Sequence, residues 1–217
     1  MKRFLRYNGL SIVFLLLFIL TMVGQSITGF KEHNNDLQEN RASAITFAQY
    51  LTSGHFVEAT FENFESEFLQ MALYVILSIY FYQKGSAESK DPDKKNEVDR
   101  EPDPKRKGAP WPVKKGGFIL YVYKHSLCYA LSLLFIISFI FHLYGSHSAY
   151  NEEQALKHLP LKSVSEYLGS SKFWFESFQN WQSEFLSIFA IVILSIFLRE
   201  KGSAQSKPVD APDSETD

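Results

Sequence analysis

Apolar residues in this chain run in long blocks that end abruptly at charged ones. Residues 10–23 are apolar except for Ser11 and Thr21, and residues 127–144 are interrupted only by Ser132, Ser138 and His142. A helix rises about 1.5 Å per residue, so roughly 20 such residues cross a hydrocarbon layer of about 30 Å. Two further blocks lie at 68–82 and within 180–198. Together the four predict an all-α membrane protein with transmembrane helices at about 10–30, 63–82, 118–145 and 180–198.

The blocks are related. Phe61-Glu62-Asn63-Phe64-Glu65-Ser66-Glu67-Phe68-Leu69 returns as Phe178-Gln179-Asn180-Trp181-Gln182-Ser183-Glu184-Phe185-Leu186, a constant 117 positions later. At that offset 75–79 matches 192–196, and Lys84-Gly85-Ser86-Ala87-Glu88-Ser89-Lys90 matches Lys201-Gly202-Ser203-Ala204-Gln205-Ser206-Lys207. Each copy holds two spans, so the second enters the membrane from the same side as the first. The expected product is a bundle of two tandem parallel repeats about a pseudo-twofold axis. Residues 1–90 form the first repeat, 91–117 a linker, 118–207 the second repeat and 208–217 a tail.

Charge changes this picture by orienting it. Lys2, Arg3 and Arg6 precede the first span, Lys84 and Lys90 follow the second, Lys114, Lys115 and Lys124 precede the third, and Arg199, Lys201 and Lys207 follow the fourth. The positive-inside rule then places both termini and the linker in the cytoplasm of a multi-pass protein of the cell (inner) membrane. The basic start and apolar run also fit a signal peptide, but the matching segment at 127–144 lies mid-chain and no Ala-x-Ala site follows, so a retained helix is expected. The linker mixes both charge signs with Pro92, Pro102, Pro104, Pro110 and Pro112, and with the acidic tail it reads as disordered. The outer loops differ. Tyr50-Leu51 and Phe56 recur as Tyr167-Leu168 and Phe173, which predicts short interfacial helices there; Phe173-Trp174-Phe175 fits either an interfacial anchor or packing against the bundle.

Composition adds little chemistry. A net charge of −2, without a folded basic domain, points away from nucleic acid. Cys128 is the only cysteine, so no intrachain disulfide forms. The six histidines show no metal-ligand spacing, and no cofactor or catalytic motif stands out.

Two sets of residues merit attention. The block at 68–82 covers only roughly 22 Å as a helix, so a full span recruits residues back to Asn63 and draws Glu67 towards the membrane. A carboxylate at helix centre costs roughly 2.5 to 3.5 kcal/mol and so faces protein or water. Glu67 and Glu184, with Asn63, Asn180 and the offset pair Gln25 and His142, make a candidate proton or cation site. The alternative places both glutamates at the outer boundary, where a carboxylate suits a helix N-terminus. The second set is Lys84, Ser86 and Lys90 with Lys201, Ser203 and Lys207. It suits lipid headgroup phosphates, or, in its Lys-Gly part, ordinary helix termination.

The repeated Asn-(Phe/Trp)-x-Ser-Glu-Phe-Leu and Lys-Gly-Ser-Ala-x-Ser-Lys motifs resemble a family of small bacterial membrane proteins catalogued as a domain of unknown function. That resemblance implies an integral membrane protein and no activity. The expected function is therefore structural, interaction or envelope-related and non-enzymatic, with the bilayer and a homodimer or membrane-protein partner as its company. The alternative is a small proton or cation transporter using the repeated carboxylates, and lipid chemistry at the cytoplasmic face is a weaker third.

Overall fold

The computed structural model describes residues 2–216. Its described residues are helical, with no strand among them: α1 (Lys2–Glu39), α2 (Phe47–Tyr50), α3 (Gly54–Tyr80), α4 (Trp111–Lys115), α5 (Gly117–Lys124), α6 (Ser126–Leu156), α7 (Val164–Leu168) and α8 (Ser171–Phe197).

Among the described residues three helices, not the expected four, are long and apolar enough to cross a membrane: Arg3–Glu39, Ser126–Leu156 and Ser171–Phe197. Helix α3 falls short because Asn63, Glu65, Glu67 and Gln70 dilute the stretch it would need. The third span also starts later than position 118. His125 (φ −113°, ψ 10°) leaves helical geometry and separates α5 from α6, its N–H bonding back to Val122 in a tighter turn.

In α1 the hydroxyls of Thr21, Ser26 and Thr28 bond backwards, to Leu17 O at 2.9 Å, Met22 O at 2.7 Å and Gly24 O at 2.8 Å. The helix is left with an apolar exterior; Leu10 is 75% exposed and Leu20 67%. A water-facing patch of that extent is disfavoured, so these helices are compatible with a membrane protein.

The chain divides into two compact units. One comprises Met1–Phe61 and Ile140–Phe173, the other Glu62–Phe139 and Trp174–Asp217.

In the first unit, α1 ends with Ala42 N–H bonding Leu37 O at 2.8 Å and Arg41 N–H bonding Gln38 O at 2.9 Å, with Arg41 at φ 60°. This is a Schellman ending. Asn34 then clamps Ile45 in both directions, at 3.1 and 2.7 Å, and a capping box of Thr46 and Gln49 starts α2. Helix α6 ends likewise: Leu159 N–H bonds Gln154 O, His158 sits at φ 55°, Asn151 clamps Lys162, and Ser163 with Glu166 caps α7. Each short helix buries one tyrosine, Tyr50 and Tyr167. The Tyr50 hydroxyl lies where a Cβ on Gly29 would be, 2.1 Å away, so only glycine fits there. Tyr167 bonds Ser146, which stands 117 positions after Gly29, at 2.5 Å. Phe173 is fully buried against the His142 ring at 5.0 Å, so it is a packing residue, while Phe175 is exposed. A Cβ on Gly145 would stand 2.4 Å from Glu58 N, and one on Gly54 2.6 Å from Ala149 N, so α3 and α6 touch backbone to backbone.

In the second unit, α3 and α8 meet through polar side chains, described below. The linker carries a 3₁₀ turn at Glu97–Asp99 and ion pairs Lys84–Asp93 at 2.8 Å and Lys90–Asp99 at 3.0 Å. The tail folds back on the end of α8: Arg199 reaches Ala211 O and Asp213, and Thr216 accepts from Gly85 N–H at 2.8 Å.

Candidate functional site

The six residues of the candidate ion site do not all fall in one unit. Gln25 and His142 belong to the first, where Gln25 donates to Thr60 at 3.4 Å and His142 is fully buried. Asn63, Glu67, Asn180 and Glu184 belong to the second. There Asn63 and Glu67 are exposed and Glu184 is half-buried, with Glu67 within electrostatic reach of Glu184.

The carboxylates that α3 turns into the protein are Glu62 and Glu65. Glu65 has no exposed surface and accepts a hydrogen bond from Trp181 Nε1 at 2.9 Å; one turn earlier, Asn180 donates its amide to Glu62 and to Glu176 O. A buried carboxylate is tolerable only when it accepts such bonds. Glu65 and Glu67 stand two residues apart, about 200° around a helix of 3.6 residues per turn, so Glu65 turns inward while Glu67 faces away. One signal pointed to it: within the repeated block Phe64 becomes Trp181 and Glu65 becomes Gln182, so a donor and a charge are each present in one copy alone.

The two Lys-Gly-Ser-Ala-x-Ser-Lys segments are engaged with protein. Gly85 (φ 87°) and Gly202 (φ 90°) adopt the left-handed conformation in turns closed by Ser86 N–H on Gln83 O and Ser203 N–H on Glu200 O, beyond the ends of α3 at Tyr80 and α8 at Phe197, so they shape loops and do not terminate the helices. Lys84 and Lys90 are paired with Asp93 and Asp99. Ser86 is fully buried and shares a hydrogen bond with Ser195 Oγ at 2.9 Å. Lys207, 2% exposed, donates to the carbonyls of Pro212, Asp213 and Glu215. Lys201 is exposed, and Ser203 is half-buried, accepting from Gln205 N–H at 3.1 Å.

The first unit holds a feature that the scattered histidines concealed. His33 of α1 and His55 of α3 lie with ring centroids 5.0 Å apart. They line a cavity of about 360 Å³ with Asp36, Glu58, Glu152 and Lys172. Tyr50 Oη lies 3.4 Å from His55 Nδ1. Burial, then the neighbouring His33, pushes His55 below the ordinary histidine range, against the upward pull of Asp36, Glu152 and Glu32. His33 is 6% exposed, and its Nε2 makes no hydrogen bond; Glu152 Oε1 is 3.8 Å away.

A family model described as "Domain of unknown function (DUF6766)" matches residues 1–217. The chain belongs to that family. No curated protein and no solved structure matches it. Membership in DUF6766 assigns neither a reaction nor a ligand; the chain itself offers a buried carboxylate held between α3 and α8, and an acidic cavity beneath a histidine pair.

Proposed function

We propose that this DUF6766 protein is a non-enzymatic integral membrane protein whose outer loops form a rigid recognition end, built as two tandem parallel repeats with both termini cytoplasmic. The observation that carries the reading is the pinning of both loops by equivalent bonds. Asn34 and Asn151, Thr46 and Ser163, Arg41 and His158, and Tyr50 and Tyr167 each stand 117 positions apart. A mere connection between helices needs no such clamp, cap and buried ring; a surface that presents a fixed shape does. In this reading α3 accompanies α8 through the membrane, because Trp181 and Asn180 supply donors to its carboxylates that lipid cannot.

The C-terminus discriminates the topology. If α3 crosses, an even number of spans returns a C-terminal reporter to the cytoplasm; if only the three more apolar helices cross, it lies outside. Recognition is tested separately, by cross-linking in native membranes from single cysteines at exposed loop positions such as Phe47 and Leu161, in a Cys128→Ser background. A defined adduct with this chain or a membrane-protein partner supports the role, and its absence at every position removes it.

A second reading, proton or cation passage, is favoured by one observation: fully buried Glu65 lies on the same helix as Glu67. Loss of flux in proteoliposomes on Glu65→Gln or on Glu67→Gln with Glu184→Gln supports it, and unchanged or absent flux ends it.

A further inference from the structure

The cavity beneath His33 and His55 has a charge and a missing bond that together define a ligand. Among its lining residues are four carboxylates, Asp36, Glu58, Glu152 and Glu153, against Lys157 and Lys172, which leaves it two negative charges in excess when the histidines are neutral. Lys157 is already tied to Glu153. The cavity, about 360 Å³, lies at the lower end of the range in which small ligands bind.

Negative charge alone would only attract counter-ions. The second observation is His33, nine-tenths buried, whose Nε2 has no hydrogen bond and faces Glu152 Oε1 across 3.8 Å. That gap is too long for a direct bond. A single nitrogen on the cavity side, about 2.9 Å from each atom, would bridge them with two N–H donors. An ammonium group supplies three donors and the positive charge the lining asks for, and an aliphatic stem on it would lie along Leu37, Ala149 and Leu156. The half-exposed Glu152 side chain (39%) is placed to admit it.

We infer that this cavity binds a small organic cation, a primary alkylamine, with its ammonium bridging Glu152 and His33. The inference deepens the recognition role proposed for the loop end and rests on it, naming the class of ligand recognised there. His33 serves as the acceptor through its unpartnered Nε2, with the His55 ring packed beside it at 5.0 Å.

The test is isothermal titration of the full chain in lipid nanodiscs with 1,4-diaminobutane and butylamine, using butan-1-ol as the uncharged comparison. Saturable binding of the amines and none of the alcohol is expected. Glu152→Gln should weaken it about tenfold or more, the cost of one charge-assisted bond, while Glu200→Gln, exposed in the other unit, leaves it unchanged. His33→Gln disturbs a buried ring, so Asp36→Asn serves as the second probe of the lining, with melting temperature recorded for each variant. No saturable binding, equal binding of the alcohol, saturable binding of Mg²⁺ but not of amines, or amine affinity unmoved by both Glu152→Gln and Asp36→Asn would overturn the inference. Cross-linking from the loops is scored independently, so an adduct without amine binding defeats the ligand alone, and amine binding without an adduct leaves the cavity a small-molecule site.

Discussion

Trp181 Nε1 donates to Glu65 Oε1 across 2.9 Å, and Glu65 has no exposed surface. The indole is a donor only, and the carboxylate is the kind of acceptor that most needs one. The pair therefore fixes the register of α3 against α8 as well as neutralising the cost of an acid inside an apolar pairing.

Changing either partner should have unequal effects. Glu65→Gln keeps a carbonyl acceptor for the indole and is expected to shift stability little. Trp181→Phe withdraws a donor from a buried carboxylate and should cost about 1–3 kcal/mol. Thermal unfolding in detergent, with both variants at matched lipid content, reads the difference; equal losses would show that the indole needs the charged acceptor and that a glutamine carbonyl does not replace it.

The glycine contacts predict a sharper contrast. A Cβ on Gly145 would lie 2.4 Å from the Glu58 backbone nitrogen, whereas nothing approaches within 4 Å of the same position on Gly24. Gly145→Ala should thus force α3 and α6 apart, losing about 1–3 kcal/mol by overpacking, and Gly24→Ala should gain about 0.5–1 kcal/mol in its helix. Melting temperatures moving in opposite directions are the expected outcome.

Much of this architecture was legible in the sequence, and the parts that were not share a cause. The apolar blocks located α1, α6 and α8, and the recurrence of Tyr50 as Tyr167 located the loop helices α2 and α7, because period and offset are properties of the chain itself. Which acid of α3 turns inward, and that His33 meets His55, depend on how helices far apart in sequence rotate against each other. Spacing says nothing of that rotation until a partner is known. The break at His125 was marked in the sequence by the polar run Lys124-His125-Ser126, but a span drawn from position 118 runs straight through it.

Both Schellman endings carry a residue with a side chain in the left-handed region, Arg41 at φ 60° and His158 at φ 55°. Such a residue costs about 1 kcal/mol that glycine does not. Arg41→Gly and His158→Gly should each stabilise the chain by up to about that amount, seen as a raised melting temperature, and Arg41→Ala should not. A destabilised glycine variant would mean that the side chain makes a contact worth more than the strain.

The histidine pair gives a pH dependence with a definite sign. His55 is held below its ordinary value by burial and by His33, with Asp36, Glu32 and Glu152 pulling the other way and Tyr50 Oη beside its Nδ1. Because the folded state binds the proton less readily than the unfolded state, the unfolded chain holds more protons below about pH 6.5, and stability falls as pH drops through that value. It should be flat above about pH 7.5, where the imidazole is neutral in both states. His55→Gln should flatten the slope between about pH 5 and 7, whereas His125→Gln, on a residue outside this cluster, should leave it in place. If the slope survives His55→Gln, a group other than this imidazole carries the acid sensitivity, and His33, which shares the contact, is the next substitution to measure.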